Sequence, residues 1–187
     1  MHALLALFFF LAQPFWEAKP PEKWSANEID MLRTNSPWAQ KVGPEPSVLV
    51  YFATAAPIEE AEAELRVRGK NPLREPDPDY LAYLSKNRDD HFVLAIPYTA
   101  PEKALQGDGL KRMEDESVMV IGRRRIKMDG HFPPIPSDPV LRLVFPREVQ
   151  PTDKKVVFRL YLPGVEFPDR EVSFEVRELL YHGWLEM

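Results

Sequence analysis

After residue 115 the chain consists of short apolar stretches separated by proline and glycine turns, a pattern that strongly limits its fold. The candidate strands are 118–121, 141–145, 156–162, 172–176 and 184–187. No segment between them is long enough for the crossover helix that parallel strands require. The pattern therefore predicts antiparallel strands joined by short turns. The 20 prolines, roughly double the usual frequency, fit such an interrupted chain.

The segment 172–177 has the clearest alternation of apolar and polar residues. Its apolar side chains, Val172, Phe174 and Val176, point one way, and the polar ones point the other way: Ser173, Glu175 and Arg177. One face of this strand should be buried and the other exposed to water. We expect an antiparallel sheet or a sandwich in the C-terminal half.

The N-terminal half contains signals for short helices. Ser25 followed by Glu28 is a capping box, and Ile29 and Leu32 provide a short apolar face for a helix that ends near Thr34. Such a short helix is marginal alone, so we expect at least one of the flanking tryptophans, Trp24 and Trp38, to pack against the β layer.

Further elements follow in the same half. Residues 48–54 predict a buried strand, and proline at position 57 with glycine at position 69 delimits a helix. Asp77 predicts the cap of another helix. Residues 92–98 predict a strand whose end Pro97 places at an edge or a bulge. A capping box at Thr99 and Glu102 follows, in a short helix that closes at Gly107. The fold class is therefore α+β and β-rich, with two to four short helices in the N-terminal half.

Residues 3–12 form an uncharged apolar run of ten residues. This length fits a secretory signal peptide and is too short to span a bilayer, which needs ~20 residues. We expect a signal peptide over 1–18 with an undefined cleavage position, a linker over 19–23 and one globular domain over 24–187. The alternative is that the run forms a buried first element of the fold.

Composition excludes several classes of function. The chain has 24 basic and 29 acidic residues, and its net charge of −5 argues against nucleic acid as a partner. It has no cysteine, which excludes disulfides, thiolate nucleophiles, Cys-bound metals and a lipoprotein anchor. Because secreted eukaryotic domains of this size often carry disulfides, a bacterial extracytoplasmic location, periplasmic or secreted, fits best.

Two short motifs and the C-terminal segment together carry a resemblance. The motifs are Trp24-Ser25-x-x-Glu28 and Ser36-Pro37-Trp38-Ala39, and the chain closes with Leu-Leu-Tyr-His-Gly-Trp-Leu-Glu-Met. In these features the chain resembles a family of uncharacterised exported bacterial proteins. The resemblance implies export and a small β-rich domain, and it supplies no reaction, cofactor or catalytic residue.

Three histidines could support a metal site: His91, His131 and His182. Two of them follow acidic residues, which could orient the rings. Three histidine ligands would leave one coordination position of a metal open, so a metal-assisted hydrolase is an alternative function. However, Asp and Asn clusters are ordinary turn chemistry, and the HExxH spacing is absent. No serine lies in a GxSxG motif either. We therefore expect no metal and no cofactor, and the catalytic residues stay unknown.

One basic cluster could bind an anion. In a strand, Arg123, Arg125 and Lys127 would share one face, which could contact a phospholipid headgroup or an acidic glycan. The favoured interpretation is an edge strand whose charges prevent pairing with other sheets.

The sequence predicts an exported, non-enzymatic interaction or accessory domain, whose partner is an unknown protein or envelope component. A hydrolase is the first alternative. A binder of an apolar or lipid ligand inside the β layer is the second.

Overall fold

Two antiparallel sheets face each other in the computed structural model, which describes residues 13–69 and 76–187. The larger sheet has the order β1-β2-β3-β7-β6. Its strands are β1 (Ala39–Val42), β2 (Val48–Phe52), β3 (His91–Pro97), β6 (Gly130–Phe132) and β7 (Val140–Pro146). The smaller sheet has the order β5-β4-β8-β9. Its strands are β4 (Val118–Ile121), β5 (Arg124–Lys127), β8 (Lys155–Tyr161) and β9 (Asp169–Glu175).

The helices and a small hairpin complete the described fold. The helices are α1 (Phe15–Ala18), α2 (Ala26–Thr34), α3 (Ala56–Val67), α4 (Pro78–Asn87) and α5 (Gly107–Glu116). The hairpin pairs β10 (Leu180–Tyr181) with β11 (Trp184–Leu185). The predicted α+β class with antiparallel sheets is confirmed. No helix in the described part of the chain is long and apolar enough to cross a membrane.

Phenylalanine rings fill the space between the two sheets. Phe52, Phe92 and Phe145 come from the larger sheet, and Phe158 and Phe174 come from the smaller one. Ring centroids of contacting pairs across the sheets lie 4.6 to 6.0 Å apart, mostly edge to face. Such pairs contribute roughly 0.5–1.5 kcal/mol beyond their area burial. This contact holds the sheets together.

The longest ladders fix which side chains enter this core. Strands β3 and β7 pair from His91 opposite Pro146 to Pro97 opposite Val140. Strands β8 and β9 pair over seven positions as well. In segment 172–177 the apolar residues are buried and the polar residues are exposed, as predicted.

The capping box of α2 is confirmed. The Ser25 hydroxyl accepts a hydrogen bond from the Glu28 backbone N–H, and the Glu28 carboxylate accepts one from the Ser25 backbone N–H at 2.7 Å. Ile29 and Leu32 face the core. The local pattern of polar and apolar residues was sufficient here, because both partners lie within one helical turn.

Pro97 ends β3 opposite Val140 of β7, beyond Leu94 and Ala95, the two residues of β3 that pair with β2. In the described sheet this end of β3 is paired on one side alone, which is the edge position predicted for the proline.

The predicted capping box at Thr99 and the predicted helix end at Gly107 are wrong. Thr99 does not cap a helix, since a 3₁₀ turn starts after Pro101 without a side-chain cap. Gly107 begins α5 rather than ending a helix, and its φ of +55° lets the chain turn between the 3₁₀ turn and α5.

Both candidate tryptophans are buried beside α2. Trp38 is 0% exposed, and its indole N–H donates to the Glu186 carbonyl oxygen at 3.1 Å. Trp24 is 2% exposed, and its indole N–H donates to the Lys19 carbonyl at 3.0 Å. The expectation that a tryptophan fastens this helix to the core is confirmed.

We therefore expect Trp38→Ala to destabilise the protein by about 3–5 kcal/mol, because it leaves a cavity and an unpaired carbonyl. Urea unfolding followed by circular dichroism measures this. Trp184→Ala is the matched control, since Trp184 is 76% exposed and should give a nearly unchanged midpoint. An unchanged midpoint for Trp38→Ala, with iodide-quenchable Trp38 fluorescence in the wild type, would contradict the assignment.

Candidate binding groove

A groove lies on the face of the larger sheet that points away from the phenylalanine core. It comprises two cavities of about 230 and 420 Å³ that share several lining residues: Tyr51, Glu62, Arg66, Pro76 and Arg142. We call this the inter-helix groove, because α3 and α4 contribute to its walls. The volume of the larger cavity is within the range of about 300–1,000 Å³ that is typical of small-molecule sites.

Strand alternation places Arg142 in this groove. In β7, Leu141, Leu143 and Phe145 belong to the main core, so Arg142 and Val144 point to the opposite face. The helix α4 packs there through Tyr80. Arg142 is consequently buried under α4 and is only 6% exposed.

The Arg142 guanidinium is held on two sides. Its Nη1 donates to Asp138 Oδ2 at 2.6 Å, and the same oxygen accepts the backbone N–H of Asp77 at 3.0 Å. Its Cζ lies 4.3 Å from the centroid of the Tyr80 ring. Its Nε is buried and has no hydrogen-bond partner among the described residues. The guanidinium is thus fixed with part of its donor capacity unused.

The carboxyl groups of the groove lie in a desolvating environment. Burial raises the pKa of Glu62, against the opposing effect of Arg33, Arg66 and Arg142. Burial also raises the pKa of Glu59, and this effect outweighs the opposing effect of Arg88, which pairs with the carboxylate. Perturbed pKa values in a concave site are a common feature of functional sites.

Burial raises the pKa of both groove tyrosines, Tyr51 and Tyr80. Both hydroxyls therefore stay protonated at neutral pH. The groove offers protonated tyrosines, arginines and carboxylates as polar groups. Among the described residues that line its two cavities there is no histidine or serine. The arrangement can hold a polar ligand by charge-assisted hydrogen bonds.

The structure does not bring the predicted histidines together. Each contacts a carboxylate of its own: His91 Nε2 lies 3.0 Å from Asp129 Oδ2, His131 Nδ1 lies 3.7 Å from Glu114 Oε1, and His182 Nδ1 lies 3.1 Å from Glu17 Oε2. Within residues 13–69 and 76–187, no three His, Asp or Glu side chains form a group that could hold a metal ion. The observation behind the hydrolase alternative is therefore missing from this part of the chain.

The basic cluster lies at the edge of the smaller sheet. Arg123 occupies the turn between β4 and β5 instead of a strand position. Arg125 borders a cavity that also contains acidic side chains, and Lys127 donates to Asp115 at 3.2 Å. An edge position is what the solubilising interpretation requires. Anion binding by these residues stays a prediction.

The groove was not predicted from the sequence. The available signal was Arg142 itself, a single charged residue inside the otherwise apolar run 140–145. Its partners could not be read in the same way, because Tyr80 and Tyr51 come from distant segments. Comparisons with protein-family models, curated proteins and solved structures give no match to this chain. The resemblance to exported proteins therefore stays a prediction.

We expect Arg142→Met to destabilise the protein by about 3–5 kcal/mol, because it leaves Asp138 buried without its cation. The double variant Arg142→Met/Asp138→Asn should recover most of the loss in urea unfolding. Arg159→Met is the control, since the Arg159–Glu171 pair is exposed and contributes about 0–1 kcal/mol. Wild-type stability of Arg142→Met would show that Asp138 does not depend on the ion pair.

A second prediction concerns Glu62. The folded state binds the Glu62 proton more tightly than the unfolded state, so stability falls as pH rises from the ordinary pKa of 4.5 through the raised one. We expect Glu62→Gln to be more stable than the wild type at pH values above this window and equally stable below it. Urea midpoints across that range measure the effect. Glu175→Gln, at an exposed position of β9, is the control and should leave the urea midpoint unchanged both above and below this window. A Glu62→Gln variant that is less stable than the wild type at neutral pH would contradict the prediction.

Proposed function

We propose that the chain is an exported, extracytoplasmic binding domain without catalytic activity, and that the inter-helix groove is its ligand site. The observation that carries the proposal is the buried Arg142, which borders both cavities of the groove beside desolvated carboxyl groups and whose enclosed Nε has no hydrogen-bond partner among the described residues. An unsatisfied buried donor costs about 1–3 kcal/mol, and a ligand that accepts its hydrogen bond removes this cost.

The alternatives have weaker support. A lipid ligand inside the β layer needs an apolar cavity between the sheets, where the phenylalanine rings are in mutual contact. A metal-assisted hydrolase needs His91, His131 and His182 in one place, and each contacts a different carboxylate. A binding role needs neither.

The export part of the proposal rests on the apolar run 3–12, which lies outside the described residues. Contacts of α1 bear on where the signal peptide would be cleaved. Phe15 and Trp16 contact Trp24 and Trp38 at ring-centroid distances of 5.9 and 5.7 Å. We therefore propose that the mature chain retains α1, because cleavage after Ala18 would remove these contacts.

The test expresses the full chain in a bacterium and compares periplasmic and cytoplasmic fractions by intact mass. We expect a periplasmic form that lacks the apolar run and retains Phe15–Ala18. The purified form is then melted with and without the dialysable small molecules of an envelope extract. A ligand that binds only the folded state should raise the Tm.

Arg66→Trp is the variant for the groove, because Arg66 borders both cavities and is exposed. It should abolish the Tm rise, whereas Arg159→Trp, on the other sheet, should preserve it. An intact Met1 on a cytoplasmic protein would contradict export. A rise of the same size in Arg66→Trp would contradict the groove as the ligand site.

A further inference from the structure

We propose that the inter-helix groove selects a small amphipathic carboxylate, which accepts a hydrogen bond from Nη2 of Arg142 and a second one from Nε once the ligand displaces the side chains that enclose Nε. This inference deepens the proposed function and rests on it. It assigns the ligand class and the residue that recognises it.

The first support is the geometry of the guanidinium group. Arginine presents its N–H donors in a planar fork, and Nε and Nη2 form one edge that matches the two oxygens of a carboxylate. Asp138 occupies Nη1, and the Tyr80 ring covers one face. Neither contact uses the Nε and Nη2 edge, and Nε has no partner among the described residues.

The second support is the balance of charge along the groove. Asp138 pairs with Arg142, Glu62 with Arg66 at 3.4 Å, and Glu59 with Arg88. Each described acidic side chain of the lining is thus already opposite an arginine. A cationic ligand would have to compete with these arginines for its partner.

Arg33 adds a further positive charge. It borders the larger cavity and acts on Glu62, a carboxylate that already pairs with Arg66. One negative charge on the ligand would complement it. A multiply charged anion would meet the carboxylates of Glu62 and Asp138 at short range and be repelled.

The third support is the apolar part of the same lining. The larger cavity includes Leu49, Pro97, Pro139 and Val140, together with the Tyr51 ring. These side chains provide a surface for a hydrocarbon or aromatic body beside the arginine. In a carboxylate attached to an apolar group, the carboxylate would contact Arg142 and the apolar group would contact these side chains.

The experiment compares three probes of nearly equal shape and different charge: 3-phenylpropionate, 3-phenylpropionamide and 3-phenylpropylamine. NMR titrations at neutral pH follow the ring signals of Tyr51 and Tyr80. We expect the carboxylate to bind at least about tenfold more tightly than the amide, since a charged hydrogen bond contributes about 1.5–3 kcal/mol. The amine should bind more weakly than either.

Arg142→Lys tests the recognising group. Lysine keeps the positive charge beside Asp138 and loses the fork, so the preference for carboxylate over amide should fall by most of that factor. Arg159→Lys, the same substitution at an exposed pair on β8, should leave the preference unchanged. The comparison of probes on the wild type does not depend on the folding of the variant.

Several results would overturn the inference. Equal affinity for carboxylate and amide, or an unchanged preference in Arg142→Lys, would show that Arg142 does not distinguish a charged ligand from a neutral one. The groove would still be a ligand site in that case. Tightest binding of the amine would assign recognition to Glu59 or Glu62 instead. No binding of 3-phenylpropionate at millimolar concentration would reject the ligand class, and the melting experiment with envelope extract would then decide the proposed function independently.

Discussion

The phenylalanine contact between the two sheets determines where the other parts of the molecule lie. Because side chains alternate along a strand, placing Phe145 and Leu143 in this contact forces Arg142 onto the opposite face of β7. A shift of one residue in the register would exchange the two sets. The hydrophobic core therefore fixes the position of the buried arginine, and the site is a consequence of how the core is packed.

The sequence predicted those features whose partners are close in the chain. The α2 capping box and the alternation in β9 depend on residues one to three positions apart, so local patterns were sufficient. The helix α5 was missed because Gly107 was interpreted as a helix end, and its left-handed φ is a property of the turn before the helix. Local patterns do not contain the order of strands in a sheet.

The candidate site shows the same limit more strongly. Sequence neighbours suggested that His91 belongs with the acidic residues directly before it, whereas its ring contacts Asp129, 38 positions away. Arg142 has one near partner, Asp138, but the Tyr80 ring and the lining residue Tyr51 come from other elements. A lone charge in an apolar strand indicates that something unusual is buried. It does not indicate what surrounds the charge.

The energetics of Arg142 favour a binding role over a stabilising one. A buried ion pair recovers its desolvation cost only when the geometry satisfies every donor, and replacement by apolar residues of similar volume is often neutral or stabilising. Arg142 leaves Nε unsatisfied. Folding alone does not require the ion pair, because replacing both Arg142 and Asp138 with apolar side chains of similar volume is the exchange that is often neutral. An arginine that Asp138 and Tyr80 hold in place loses little conformational entropy when a ligand binds, and such preorganisation is how a site gains affinity.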